Sequence, residues 1–307
     1  MSAPFKINPT LTAIAQAYRN KAMVADLVMP RKPVGNQEFR YIEYSKSDRF
    51  TVPDTMVGRT GRPSEITFGA NEKTGSTVDY GLEAPIPQRD IDTAKDSAGY
   101  DPKGHHTEMV TELIILDREK RVADLVHSAA NYDANNIESL SGTSLWSHPD
   151  SKPITDILDA LETPLMRPNI AVTNRKVMRV LRTHPELVKA YNGTLGDAGL
   201  LPLSFLEEMF EVKFIVGQSQ INTASRGKQA EYTNLWHDKF ALLHINQNAR
   251  PEGDATWGLT AQWGERMGYE KFDDSIGLRG GIRIKVGESV NELVIAKDAG
   301  FLINACI

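Results

Sequence analysis

From about His105 to Ala130 the chain runs without a proline or a glycine, and apolar residues recur three or four apart: Val110, Leu113 and Ile114, then Val122, Leu125, Val126 and Ala129. Asp117 with Arg121 and Lys120 with Asp124 stand at i, i+4, where opposite charges support a helix. The run predicts a single helix. At 1.5 Å per residue it would reach on the order of 40 Å, well beyond the three or four turns of an average helix.

With 307 residues, 40% of them hydrophobic, the chain can bury one large core or two modest ones around that rod. Ahead of it, Asn8-Pro9 predicts the start of an amphipathic helix that Pro30 stops. EFRYIEY (residues 38–44) and EITFGA (residues 65–70) read as strands. Between them lies SDRFTVPDTMVGRTGRPSEI (residues 47–66), with Pro53, Pro63, Gly58 and Gly61, charges of both signs and almost no apolar face. A connection of that length inside a compact domain is usually functional, and the economical reading is an excursion away from the body.

Behind the rod, Ile154, Ile157, Leu158 and Leu161 make a helical stripe ended by Pro164. NIAVTN offers a buried strand, and Val177, Val180 and Leu181 mark a helix before Pro185. Ser204 to Glu207 reads as a capping box opening a helix through Phe210, followed by the strand KFIVG. The alternation predicts an α/β or α+β module over about 151–250. TWGLTAQW then places Trp257, Leu259, Ala261 and Trp263 on one face, and GGIRIKVGESVNELVIAKDAGFLINA reads as two or three strands.

The net charge of −5 argues against a protein that chiefly coats nucleic acid. Cys306 is the only cysteine, so no intrachain disulfide and no cysteine-based zinc site can form, which fits a reducing compartment. No apolar run approaches the roughly 20 residues of a membrane span, and no membrane partner is expected. His105 and His106 with Glu108 and Glu112 could suggest a metal-dependent hydrolase, but the H-E-x-x-H order and a second ligand cluster are missing. Asp90 with Asp92 and Asp273 with Asp274 read as solvated loop charge, and GLRGG (residues 277–281) as a tight turn before a strand. No nucleotide-binding or nucleophile-elbow motif occurs, and neither a metal, a cofactor nor an enzymatic activity is expected.

The order of these parts, with the stretches LTAIAQAYRNKAMVADLVMPRKPVG, FTVPDTMVGR, YGLEAPIPQRDID, LIILDREKRVADLV, LTAQWG and LRGGIRIKVGESVNELVIAKDAGFLI, resembles the major capsid proteins of tailed bacteriophages with the Hong Kong 97-type fold. The resemblance spans essentially the whole chain. It implies an α+β fold with an N-terminal arm (1–37) and a β-hairpin E-loop (38–82). A peripheral domain would begin with the long spine helix (83–150), and an axial domain (151–255) and returning peripheral strands (256–307) would follow. It implies self-assembly as pentamers and hexamers into an icosahedral shell around double-stranded DNA, with non-specific DNA contact. An encapsulin-like compartment is the alternative with the same fold. Asp48, Arg49, Asp54, Arg59, Arg62 and Glu65 on the excursion become candidate intersubunit ion-pair residues, and Asn192 and Asp197 candidates for the axial loop. The arm starts so close to Met1 that a separate scaffolding protein is expected, with a portal and room for a decoration protein as further partners. Lys46 and Lys73 lie on or beside the excursion, but no partner asparagine is identifiable and no covalent crosslink is expected. The implied location is the virion, assembled in the bacterial cytoplasm.

Overall fold

The structure, a computed structural model, describes residues 6–44, 52–65, 70–95, 100–193, 196, 198–225, 227–249 and 255–307. After a short strand β1 (Lys6–Ile7), the arm helix α1 (Pro9–Ala17) begins where its sequence predicts: the Asn8 side chain accepts from the N–H groups of Thr10 and Leu11, and Pro9 occupies the first turn. The helix does not run on to Pro30. It stops at Tyr18, and a separate turn, α2 (Ala25–Val28), precedes the strand β2 (Arg31–Val34). The cause is a distant carboxylate: Glu119 accepts from Val24 N–H at 2.9 Å and Ala25 N–H at 2.7 Å, which caps the second turn from outside the arm.

β3 (Glu38–Tyr44) and β4 (Ala70–Ser76) pair antiparallel as a two-stranded ribbon, from Glu38 opposite Ser76 to Tyr44 opposite Ala70. Of the strand expected at 65–70, residues 66–69 lie outside the described residues. The paired strand runs instead through Asn71–Ser76, a tract whose polar composition reads as connection. Pairing along a ribbon needs no apolar face, so hydrophobic alternation gives no signal for it.

β5 (Val78–Pro87) and the helix α3 (Gln88–Lys95) lead into the rod, α4 (Pro102–Val126), 25 residues long, with Asp101 accepting from Lys103 N–H at its start. Both expected ion pairs form along it, Arg121 with Asp117 and Lys120 with Asp124. Two sheets share this helix. The first is built on the long hairpin β12 (Gly258–Asp273) and β13 (Gly281–Val294), with β5 beside β13, and β1 and β2 beside β12. Val110 and Ile114 from the first half of α4 pack there with Leu11, Ile86, Ile284 and Val286. GLRGG makes the turn of this hairpin, Gly277 and Gly280 taking φ of 62° and 71°.

The second sheet has the order β6 (Ile137–Ser139), β14 (Gly300–Asn304), β11 (Phe240–Leu243), β7 (Ile170–Asn174), β8 (Lys213–Gly217), while β9 (Gln220–Asn222) and β10 (Tyr232–Asn234) pair as a separate short ribbon. Four helices cover one face: α5 (Pro153–Glu162), α6 (Arg175–Thr183), α7 (Pro185–Asn192) and α8 (Leu203–Phe210). Their Ile157, Leu181, Leu187 and Leu206 pack against Phe214, Phe240 and Leu242. The opposite face is covered by Val122, Ala123 and Val126 from the second half of α4, with Trp236 and Trp257. β7 is therefore buried at every position, as its unbroken apolar run predicts.

Three local expectations fail for identifiable reasons. The capping box at Ser204 does not form: Pro202 precedes α8 without a side-chain cap, and Glu207 turns to accept Phe214 N–H at 3.0 Å. Trp257, Leu259 and Ala261 are buried but Trp263 is 42% exposed, because a register irregularity between Trp263 and Met267 with Gly264 at φ 66° lifts the chain off its face. The C-terminal strands expected to return together are divided, β12 and β13 lying in the first sheet and β14 in the second.

Candidate assembly interface

Every described residue from Val52 to Glu65 is exposed. That includes Val52 at 92% and Met56 at 85%, apolar side chains that no described residue of their own chain covers. Two local bonds shape the segment: Met56 N–H donates to the Asp54 carboxylate at 3.0 Å and Gly61 N–H to Gly58 O at 2.9 Å. Among the described residues Asp54, Arg59, Arg62 and Glu65 are exposed, and no ion pair joins them to one another. Asp48 and Arg49 lie outside the described residues. The excursion thus presents charges of both signs and, among its described residues, the exposed apolar side chains of Val52, Met56 and Val57 on a stem of two strands.

The stem is rooted in the body. Phe39 packs with Leu259, Ala261 and Ile295, and Gly75 leaves room for its ring, since a Cβ there would lie 2.9 Å from Phe39 Cζ. Behind the root, a charged network that hydrophobic patterning did not single out joins arm, rod and first sheet. Arg118, almost wholly buried, donates to Asp26 at 2.6 Å, to Met29 O at 3.0 Å and to Thr260 Oγ1 at 3.0 Å. Arg31 reaches both Asp26 and Glu288, and Arg266 meets Glu288 at 2.7 Å. Arg121 pairs with Glu292 at 3.0 Å and lies 3.7 Å over the Tyr80 ring.

Burial works against these charges and the partners outweigh it. For Asp26, burial raises the carboxyl, but Arg118 and then Arg31 hold it below its usual range; for Glu288, Arg31 and Arg266 do the same. Arg118 goes the other way, lowered by burial and by the neighbouring Arg31. A sequence signal for the network existed. Arg118 and Glu119 fall on the apolar stripe of the rod, between Ile114 and Ile115 before them and Val122 and Val126 after, where a charge must find a partner.

Glu119 is the joint between the two sheets. Besides Val24 and Ala25 it accepts from Trp236 Nε1 at 2.8 Å, and the Trp236 indole occupies the space over Gly217 that any Cβ would fill. His127, buried edge-on against the same indole, is pushed down to about 3 by burial and then by His237 and Lys239.

The remaining candidates separate. His106 Nδ1 sits 2.7 Å from Pro102 O, and His184 caps α7 by accepting from Glu186 N–H while Nε2 meets Ser151 Oγ at 2.9 Å. Asp92 is engaged by Lys95 and Gln88. Asp273 is held down to about 2 by hydrogen bonds from Ser275 and Arg283. No group of three or more His, Cys, Asp or Glu among the described residues could hold a metal ion, and no described helix is long and apolar enough to cross a membrane. Asn192 ends α7 and donates to Gly196 O at 3.4 Å; Asp197 lies outside the described residues.

Residues 115–229, from the second half of the rod across most of the second sheet's module, match the family model for phage major capsid protein E. The chain is 48% identical to the major capsid protein of Pseudomonas phage JBD67 over all of its own length and 99% of that protein's. A phage-related protein from Bordetella bronchiseptica RB50 shares the fold with a TM-score of 0.76 at 22% identity, over 99% of this chain and 98% of that one. The capsid of Cyanophage P-SCSP1u follows at a TM-score of 0.59 and 9% identity, over 94% of this chain and 89% of that one. The α+β architecture is the Hong Kong 97-type capsid fold. With its fold shared with shell proteins, and 48% identity along its whole length to one phage major capsid protein, this chain belongs to the family of phage major capsid proteins, which work as assemblies of many copies in the virion shell.

Proposed function

We propose that copies of this chain group as pentamers and hexamers and close into an icosahedral head that encloses double-stranded DNA. The observation that carries this reading is the uncovered excursion. Val52 and Met56 stand clear of every described residue of their own chain, and a neighbouring copy is the cover that a shell supplies. Residues 38–82 are then the E-loop, lying over the next subunit with Asp48, Arg49, Asp54, Arg59, Arg62 and Glu65 as its ion-pairing groups. Individually such pairs contribute about 0–1 kcal/mol, so repetition around the shell has to supply the strength. Residues 1–37 serve as the arm, and 83–150 with the strands β12 and β13 as the peripheral domain. Residues 151–255 serve as the axial domain, to which β14 adds its strand, with Asn192 and Asp197 on the loop at the symmetry axes.

Assembly takes place in the host cytoplasm with a separate scaffolding protein and a portal, a decoration protein can bind the finished surface, and the chain itself carries out no catalysis. Contact with packaged DNA is non-specific and transient, in keeping with the negative net charge. The test is negative-stain electron microscopy of the intact chain and of a variant lacking residues 47–66. Closed shells or rings from the first and their loss from the second are expected. A monodisperse monomer at every concentration, with scaffold present, would overturn the reading.

A further inference from the structure

The second sheet ends in opposite charges. Beyond β8, a cleft of about 760 Å³ opens beside the start of α6, lined by Arg175, Lys176, Arg179 and Arg182 and by no carboxylate. Lys176 reaches Asp238 at 3.5 Å and Arg182 Nε donates to Leu201 O at 2.6 Å. Arg175 and Arg179 are exposed and join no ion pair among the described residues. Helix physics does not ask for them there: Arg175 and Lys176 occupy the first turn, where the macrodipole disfavours cations, that turn has no acidic residue of its own, and Asp238 offsets Lys176 alone. The spacing i, i+4, i+7 sets Arg175, Arg179 and Arg182 along one face. A local rule broken without local gain points to a use outside the helix.

At the β6 end the sign reverses. Glu138 lies on the edge strand, and Asp156 and Asp159 on α5, which packs against β14 next door. No described cation pairs with any of the three; Asp156 instead accepts from Trp146 Nε1 at 2.9 Å. Burial first, and then Asp156 and Asp159, hold Glu138 above the usual range; burial, with Asp159, does the same for Asp156 against the lowering effect of its Trp146 bond. With α6 packed on β7 and β8, the two charged faces stand on opposite ends of a five-stranded sheet, roughly 20 Å apart at about 4.8 Å per strand.

We propose that the basic cleft beside β8 docks the acidic face of Glu138, Asp156 and Asp159 on a second copy of this chain. The docking rests on the capsomer reading above and says what the axial modules use to recognise one another. A copy fits better than nucleic-acid phosphate because the complementary face is present on the same module, at its far end. A contact between two different patches of identical subunits repeats head to tail and closes into a ring when the rotation permits. The charges fix register and rate of encounter, which is what rim charges do best.

The experiment uses the full chain and reads ring formation against protein concentration. One variant carries Arg175→Glu with Arg179→Glu, a second Glu138→Lys with Asp159→Lys, and a third all four; Asp156 is left alone because it holds Trp146. Each two-residue variant should need about tenfold or more protein to form rings, with thermal unfolding unchanged, and the four-residue variant should return to near wild type. If a reversal unfolds, Arg175→Gln with Arg179→Gln is read in the same way. A reversed pair that assembles like wild type overturns the docking, as does a folded four-residue variant no better than the pairs. Retention of a short DNA duplex that Arg175→Glu with Arg179→Glu abolishes, while rings are unaffected, would assign the cleft to phosphate instead. Wild-type protein that forms no rings at all would remove the capsomer reading itself, whereas indifferent variants of a ring-forming wild type remove only the docking.

Discussion

The interior around the second sheet and the excursion at 52–65 answer the same physical problem in opposite ways. In the interior, β7 is covered on both faces, by helices on one side and by the rod with Trp236 and Trp257 on the other. Each polar group of Glu119 has a named donor from its own chain. In the excursion, Val52 and Met56 have no described residue of their own chain over them, and two local bonds shape the segment, one to the Asp54 carboxylate and one between backbone groups. The first region is finished when one chain folds. On the reading proposed above, the second is finished only by a neighbouring copy, so the two should respond oppositely to mutation of the subunit and of the assembly.

The largest blow to the subunit should come from Glu119→Ala. It strands the N–H groups of Val24, Ala25 and Trp236, and a loss of about 3–5 kcal/mol in chemical denaturation is expected. A loss below about 1 kcal/mol would break the claim that this carboxylate joins arm, rod and second sheet. Leu242→Ala, at a fully buried position in the cluster that holds Phe214 and Phe240, should cost about 2–4 kcal/mol in the same measurement.

Acid should come next. His127 is held neutral in the folded chain down to about pH 3, while unfolded it takes its proton near 6.5, so the unfolded state binds more protons throughout that window. Stability therefore falls as pH drops below about 6.5, by about 2 kcal/mol by pH 5. His127→Leu should flatten that slope in denaturation curves taken across the window. The lowered carboxyls of Asp26 and Glu288 add a second loss at lower pH: their contribution is full above the ordinary carboxylate range and disappears as pH falls through their folded values. The smallest effect on the subunit belongs to Val52→Ala with Met56→Ala, within about 0.5 kcal/mol. Shell formation by the same variant should be impaired, and a subunit loss above about 1 kcal/mol would show that the loop packs on its own chain after all.

What could be read from the chain before its structure followed the range of the physics involved. The rod, β7, α5 and the GLRGG turn rest on neighbours within a few residues and appear where spacing and turn residues put them, except that the rod begins earlier, at Pro102, and ends at Val126, short of the expected Ala130. The break after Ala17 depends on a carboxylate about a hundred positions away, and the division of β14 from β13 depends on strand pairing, neither of which leaves a local mark. The charged network was half legible: Arg118 and Glu119 stood on an apolar stripe, which announces a buried partner without naming it. On the excursion, exposure of Asp54, Arg59, Arg62 and Glu65 was readable from composition. Their partners are not, because those would belong to another copy.

The Trp236 indole lies where a side chain at 217 would have to be, and the same indole donates to Glu119. Seen over evolutionary time, these three positions can only drift together. A lineage that gains even an alanine at 217 must first shrink or lose the indole at 236, and the carboxylate at 119 is then left without one of its donors. Glycine, tryptophan and glutamate should therefore be retained or replaced as a set, and a relative that breaks the set should have rebuilt the seam between its two sheets.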